Sequence, residues 1–164
     1  MTTDSKPSMH IDPYERGWMI ATIIMLVIFL VAVTIAGFAM GIKVPAPVAQ
    51  VNPQTVAQEG PFATPGLRQL APGKYEAYLL AQIWRFDPTE ITVPAGSEVM
   101  FYVTSKDVQH SFIIDGTNVN MQIVPGQISR LGHRFDTPGE YRITCAEYCG
   151  SGHAAMYGKV IVTP

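Results

Sequence analysis

Thr89-Glu90-Ile91-Thr92-Val93-Pro94-Ala95-Gly96-Ser97-Glu98-Val99-Met100-Phe101-Tyr102-Val103 carries the pattern that sets the architecture. Apolar and polar side chains alternate through Thr89–Val93 and again through Glu98–Val103, and the Pro-Ala-Gly between them is turn chemistry, so two half-buried strands are predicted. A strand over Lys74–Ala81 precedes them. Further short runs follow at Ser111–Ile114, Val119–Val124, Ile128–Phe135, Glu140–Cys145 and Lys159–Val162, with turns at Pro125-Gly126 and Pro138-Gly139. So many short strands within residues 74–164 predict an all-β Greek-key sandwich or barrel.

One stretch of this region cannot be a strand. Thr144-Cys145-Ala146-Glu147-Tyr148-Cys149-Gly150-Ser151-Gly152-His153-Ala154-Ala155-Met156-Tyr157 is too rich in glycine and small residues, yet it holds both cysteines of the chain, a histidine and a methionine. Thiolate, imidazole and thioether together form the soft set that selects copper over hard cations. Cys149, His153 and Met156, with His110 upstream, make the ligand set of a mononuclear blue-copper site. Cys145 is then surplus, whereas two thiolates four residues apart are what a site needs if two sulfurs bridge two copper ions. A disulfide between the cysteines is the ordinary alternative outside the cytosol, but it gives no reason for His153 and Met156. Zinc accepts Cys and His but has no use for the thioether.

From Gly17 to Ile42 no side chain is charged, and the run is rich in Ile, Val, Leu, Phe and Met. At about 1.5 Å per residue it is long enough for a bilayer core of about 30 Å. A transmembrane helix over 17–42 is therefore expected, with Arg16, Trp18 and Lys43 as interfacial anchors. Residues 1–16 read as a polar leader, in which His10 has no nearby ligand partner. Glu15 stands where a carboxylate favours the positive end of the helix dipole. Residues 43–73, punctuated by Val44-Pro45-Ala46-Pro47, Asn52-Pro53, Gly60-Pro61, Thr64-Pro65-Gly66 and Ala71-Pro72-Gly73, read as a semi-rigid arm leading to the β domain at 74–164.

The 164 residues carry 11 basic and 13 acidic side chains, a net charge of −2, which leaves no basic footprint and excludes a nucleic-acid partner. Within 74–164 the balance is seven basic to nine acidic, too mild for strong steering. A docking surface with a substantial apolar share is expected there.

The pattern C-x-E-x-C-x-x-x-H-x-x-M, with Asp107-Val108-Gln109-His110-Ser111-Phe112 upstream, resembles the copper A loop of cytochrome c oxidase subunit II. The single anchor and the Gly116-Thr117-Asn118-Val119-Asn120 and Val124-Pro125-Gly126 stretches are most similar to the B family of haem-copper oxidases. The resemblance implies a cupredoxin-like Greek-key domain behind one N-terminal transmembrane helix, and two copper ions. Cys145 and Cys149 then bridge the metals, His110 and His153 each bind one, Met156 is a weak axial ligand and Glu147 offers its backbone carbonyl. It further implies electron transfer from a soluble cytochrome c or similar donor to haem in subunit I, where oxygen is reduced and protons are pumped. The copper domain would lie outside the plasma membrane of a prokaryote, with the N-terminus in the cytoplasm. Trp84 and Phe86 are implied on the donor-facing path, with core packing as the other reading of both, and Glu15 at the mouth of a proton channel. The alternative reading is a membrane-tethered mononuclear cupredoxin carrier or a copper-delivery protein, for which Cys145 has no purpose.

Overall fold

The computed structural model describes residues 11–41 and 46–164, which fall into two units. Much of the leader, with its His10, and the predicted helix end at Ile42 lie outside the described residues. The first unit is one helix, α1, Pro13–Ala39. It starts four residues before the uncharged run because Asp12 caps it, accepting the Tyr14 N–H at 2.8 Å, and Pro13 follows at a position that needs no N–H. Glu15 lies in its first turn, and none of its side chains is buried. Its 27 residues span about 40 Å, enough to cross a bilayer.

Among the described residues the second unit is a β-sandwich of eleven strands. One sheet has the order β1-β9-β6-β3-β2, where β1 is Ala46–Gln50, β2 Gly66–Ala71, β3 Lys74–Gln82, β6 Ser97–Ser105 and β9 Gln127–Phe135. The short β4, Arg85–Asp87, also pairs with β3. The facing sheet runs β5-β11-β10-β7-β8, with β5 Glu90–Pro94, β7 His110–Ile114, β8 Asn120–Ile123, β10 Gly139–Thr144 and β11 Tyr157–Thr163. Pairing is antiparallel except for β3 with β6 and β5 with β11.

Alternation becomes burial as expected. In β6, Val99, Phe101 and Val103 point into the core while Glu98, Met100 and Tyr102 do not. Phe101 packs between Phe112 and Phe135, with ring centroids 5.5 and 6.2 Å away, and Phe86 meets Phe112 edge-on at 5.5 Å. Cys145, Cys149 and Met156 belong to the same buried cluster, so the soft loop closes one end of the core.

The Pro-rich arm requires correction. Residues 46–50 and 66–71 are strands of the sandwich, and the segment between them packs Val56 and Phe62 onto Leu80 on the outer face of the first sheet. Tyr78 and Tyr102 stack at 4.9 Å beneath that cover. Proline is compatible with β1 because β1 is an edge strand with one partner, and a register shift follows Pro47. Neither edge strand shows a clean period of two.

β11 passes close to Thr89. The Lys159 N–H donates to the Thr89 carbonyl at 2.9 Å, and a Cβ on Gly158 would lie 2.6 Å from that same oxygen. Gly158→Ala should therefore destabilise the domain by about 1–3 kcal/mol, as overpacking against backbone does. Denaturant unfolding checks this; an unchanged midpoint would mean that the backbone at Thr89 yields freely.

Candidate metal centre

β10 and β11 pair through Thr144 opposite Tyr157, so the whole of Cys145–Met156 is a loop closed by one register pair. The Cys145 N–H to Met156 carbonyl contact at 3.4 Å draws its two ends together. Inside the loop a 3₁₀ turn, His153–Ala155, swings the histidine back toward the cysteines. His110 arrives from the other side as the first residue of β7, which pairs with β10. Ser111, beside it, accepts the Ala146 N–H at 2.6 Å and fixes the loop's departure from Cys145.

The six residues singled out by the loop pattern come together. The cysteines are free, with their sulfurs 3.9 Å apart, far beyond the roughly 2.05 Å of a disulfide. His110 Nδ1 lies 3.9 Å from Cys145 Sγ, and the Glu147 carbonyl is 3.3 Å from the same sulfur. At the other end, His153 Nδ1 lies 3.6 Å and Met156 Sδ 3.7 Å from Cys149 Sγ. Ligand atoms of His110, Cys145 and Cys149 all fall within 4.8 Å of one another. The arrangement is two-ended, a sulfur pair with an imidazole nitrogen at each end. This donor set fits a soft metal and leaves no donor idle.

Electrostatics act on the thiols and on the carboxylate beside them. Burial, and then the neighbouring Cys145 thiol, push the Cys149 thiol up to about 11. Metal binding must therefore expel thiol protons. His110 is fully buried, and its Nε2 faces Asp107 Oδ1 at 2.9 Å, which turns Nδ1 toward Cys145. Burial raises the Asp107 carboxyl, but hydrogen bonds from His110 and from the Ile83 and Val108 N–H groups outweigh it and hold the group below the ordinary carboxylate range. Asp107 had a place in the sequence motif but no role there. Its spacing of three residues from His110, across a turn, was the available signal.

Trp84 and Phe86 separate. Trp84, 42% exposed, lies against the ligand loop and donates its indole N–H to the Cys149 carbonyl at 3.2 Å. Gly150 and Gly152 make room for it: a Cβ on Gly152 would sit 2.4 Å from the indole ring. Phe86 is not donor-facing. In β4 it points inward between Arg85 and Asp87 and is wholly buried against Phe112, which corrects the sequence-based assignment. Ile83, Val108, Tyr148 and Tyr157 are further exposed apolar or aromatic residues of the strand ends and loops near the site. His133 is separate, hydrogen-bonded to Asn118 at 2.7 Å and packed edge-on to Phe135.

A β-sandwich that closes one end of its core with a buried Cys, His and Met cluster defines the cupredoxin-like class. The family described as cytochrome C oxidase subunit II, periplasmic domain, matches residues 75–163. Cytochrome c oxidase subunit 2 of Thermus thermophilus is 40% identical over 166 residues, covering 99% of both chains. A chain of a haem-copper terminal oxidase dimer solved by cryo-EM superposes with a TM-score of 0.73 at 37% identity, over 91% of this chain and 99% of that one. The periplasmic domain of cytochrome oxidase subunit II from Bradyrhizobium japonicum, 20% identical over 54% of this chain and 83% of that one, shares the fold at a TM-score of 0.50. The chain belongs to the cytochrome c oxidase subunit II family. It is a subunit of a haem-copper terminal oxidase, an oxidoreductase complex, which implies a subunit I partner, and its apolar helix makes it membrane-anchored.

Proposed function

We propose that the loop holds a binuclear copper A centre and that this chain is the electron-entry subunit of its oxidase. Cys145 and Cys149 would hold the two copper ions between them, His110 and His153 would each offer Nδ1 to one of them, Met156 would be a weak thioether ligand and Glu147 would contribute its carbonyl. One observation carries the reading: two free sulfurs 3.9 Å apart, with one imidazole Nδ1 beside each. A mononuclear carrier would leave Cys145 without a task. Copper would supply the one-electron couple. The chain's own residues hold a cage that barely rearranges, because His110 and Ser111 lie on a strand and the loop is pinned at both ends.

Electrons enter from a soluble cytochrome c-like donor docking over Trp84 and the apolar side chains near it, and leave for haem in subunit I, where oxygen reduction and proton pumping take place. The copper domain then lies outside the plasma membrane of a prokaryote and the N-terminus inside. In that orientation Glu15 stands on the cytoplasmic side, where a carboxylate can gather protons for subunit I. In domain terms, a leader (1–16) and a bilayer helix (17–42) precede the copper domain.

Two coppers per chain are expected by metal analysis after loading, with one unpaired electron shared between them when partly oxidised. Seven hyperfine lines in the paramagnetic spectrum are the expected signature of two equivalent copper nuclei. Four lines from a single nucleus, at full loading, would reject the binuclear centre.

A further inference from the structure

Asp107 connects two parts of the molecule that are far apart in sequence. One carboxylate oxygen, Oδ1, faces His110 Nε2 at 2.9 Å and accepts the Val108 N–H at 2.7 Å. The other, Oδ2, accepts the Ile83 N–H at 2.6 Å. The turn presenting this carboxylate is itself clamped. The buried Ser105 hydroxyl donates to the Val108 carbonyl at 2.6 Å and accepts the Asp107 N–H at 3.2 Å. Ile83 immediately precedes Trp84, whose indole N–H reaches the Cys149 carbonyl at 3.2 Å. The β3–β4 turn is thus fastened at two points, by its backbone to the partner of His110 and by its indole to the peptide of Cys149.

We propose that Asp107 is a positioning residue that fastens the Trp84 turn and the His110 imidazole to one another, so that the donor-facing indole and one end of the metal cage are set by a single carboxylate. This rests on the copper reading for its His110 half only. A carboxylate is suited to the task because it only accepts, and each of its oxygens meets only donors here. His110 is held with its proton on Nε2 and its Nδ1 lone pair free for metal, as outer hydrogen bonds to ligating histidines do. An amide cannot serve both sides. With its oxygen toward His110 and Val108, its NH2 faces the Ile83 N–H, donor against donor. Two donors outvote one, so Asp107→Asn should keep the imidazole oriented and release the Trp84 turn.

The test uses the full chain in detergent on a Trp18→Phe background, which leaves Trp84 as the one tryptophan. In metal-free Asp107→Asn protein, Trp84 emission should move to the red and be quenched more readily by acrylamide. In the copper-loaded protein the metal content should stay unchanged, while the reduction potential rises because an anion beside His110 has been neutralised. Ser105→Ala, which loosens the turn and removes the hydroxyl 3.2 Å from Asp107 Oδ1 while leaving the carboxylate's charge in place, should give smaller emission and quenching shifts of the same sign and serves if the Asn variant does not fold. Unchanged Trp84 emission and quenching with a shifted potential would show that Asp107 serves His110 alone, and overturn the link. Released Trp84 with an unshifted potential would overturn it from the other side. Failure of the parent protein to bind copper would reject the metal reading, and the metal-free measurement would still judge the Trp84 half.

Discussion

Cys149→Ser should remove the binuclear centre altogether. Its sulfur lies 3.9 Å from Cys145 Sγ, 3.6 Å from His153 Nδ1 and 3.7 Å from Met156 Sδ. A hydroxyl fills nearly the same space, so the sandwich should survive, which circular dichroism would verify. Chemically, however, a hard alcohol replaces a soft thiolate, and the bridge between the two ends is gone. Outer-sphere changes alone cost metal sites about 10–100-fold in affinity. Losing a bridging ligand should exceed that, leaving at most one copper per chain, a four-line spectrum and no measurable oxidation of donor. Met156→Leu is the informative contrast: it should keep both ions and shift the potential, since an axial ligand tunes more than it holds. Two coppers retained by Cys149→Ser would refute the bridging role.

Gly152→Ala is the second large effect, and it acts through Trp84. The Gly152 backbone is ordinary, so an alanine meets no conformational penalty there. The added methyl would nevertheless fall 2.4 Å from Cδ2 and 2.7 Å from Cγ of the indole, atoms at the root of the ring that cannot swing aside alone. The whole ring must lift off the loop, breaking the hydrogen bond to the Cys149 carbonyl. If Trp84 is the centre of the donor-docking surface, losing its placement should cost about 2 kcal/mol of binding, or roughly 30-fold in apparent affinity for donor. Copper content and the paramagnetic spectrum should stay nearly as they were, because Gly152 supplies no ligand. Stopped-flow oxidation of reduced donor reads the effect; wild-type kinetics in a variant with a displaced indole would remove Trp84 from the entry path.

How legible all this was in the sequence differs residue by residue. Val99, Phe101 and Val103 announced β6 because a strand half buried against a core must alternate. The two cysteines, His153 and Met156 of the loop announced themselves because soft side chains are rarely gathered at that density without a metal. Phe86 misled, since an aromatic near Trp84 looks alike whether it faces solvent or core, and only the register of β4 on β3 decides. β1 was hidden by Pro47, which an edge position tolerates, and β2 by the prolines that flank it, Pro65 and Pro72. The nesting of Trp84 on Gly150 and Gly152, and the double reach of Asp107, join residues separated by dozens of positions. No local period records them.

The cover formed by residues 51–63 bears on where the molecule can be cut. The segment that typifies the family begins at residue 75, but the folded unit reaches back at least to Ala46. A water-soluble fragment started at the family boundary would discard two edge strands and strip Val56 and Phe62 from Leu80, baring Tyr78, Tyr102 and Ile128. Starting ahead of Ala46 keeps that second, smaller core intact and spares the sheet two raw edges open to self-association.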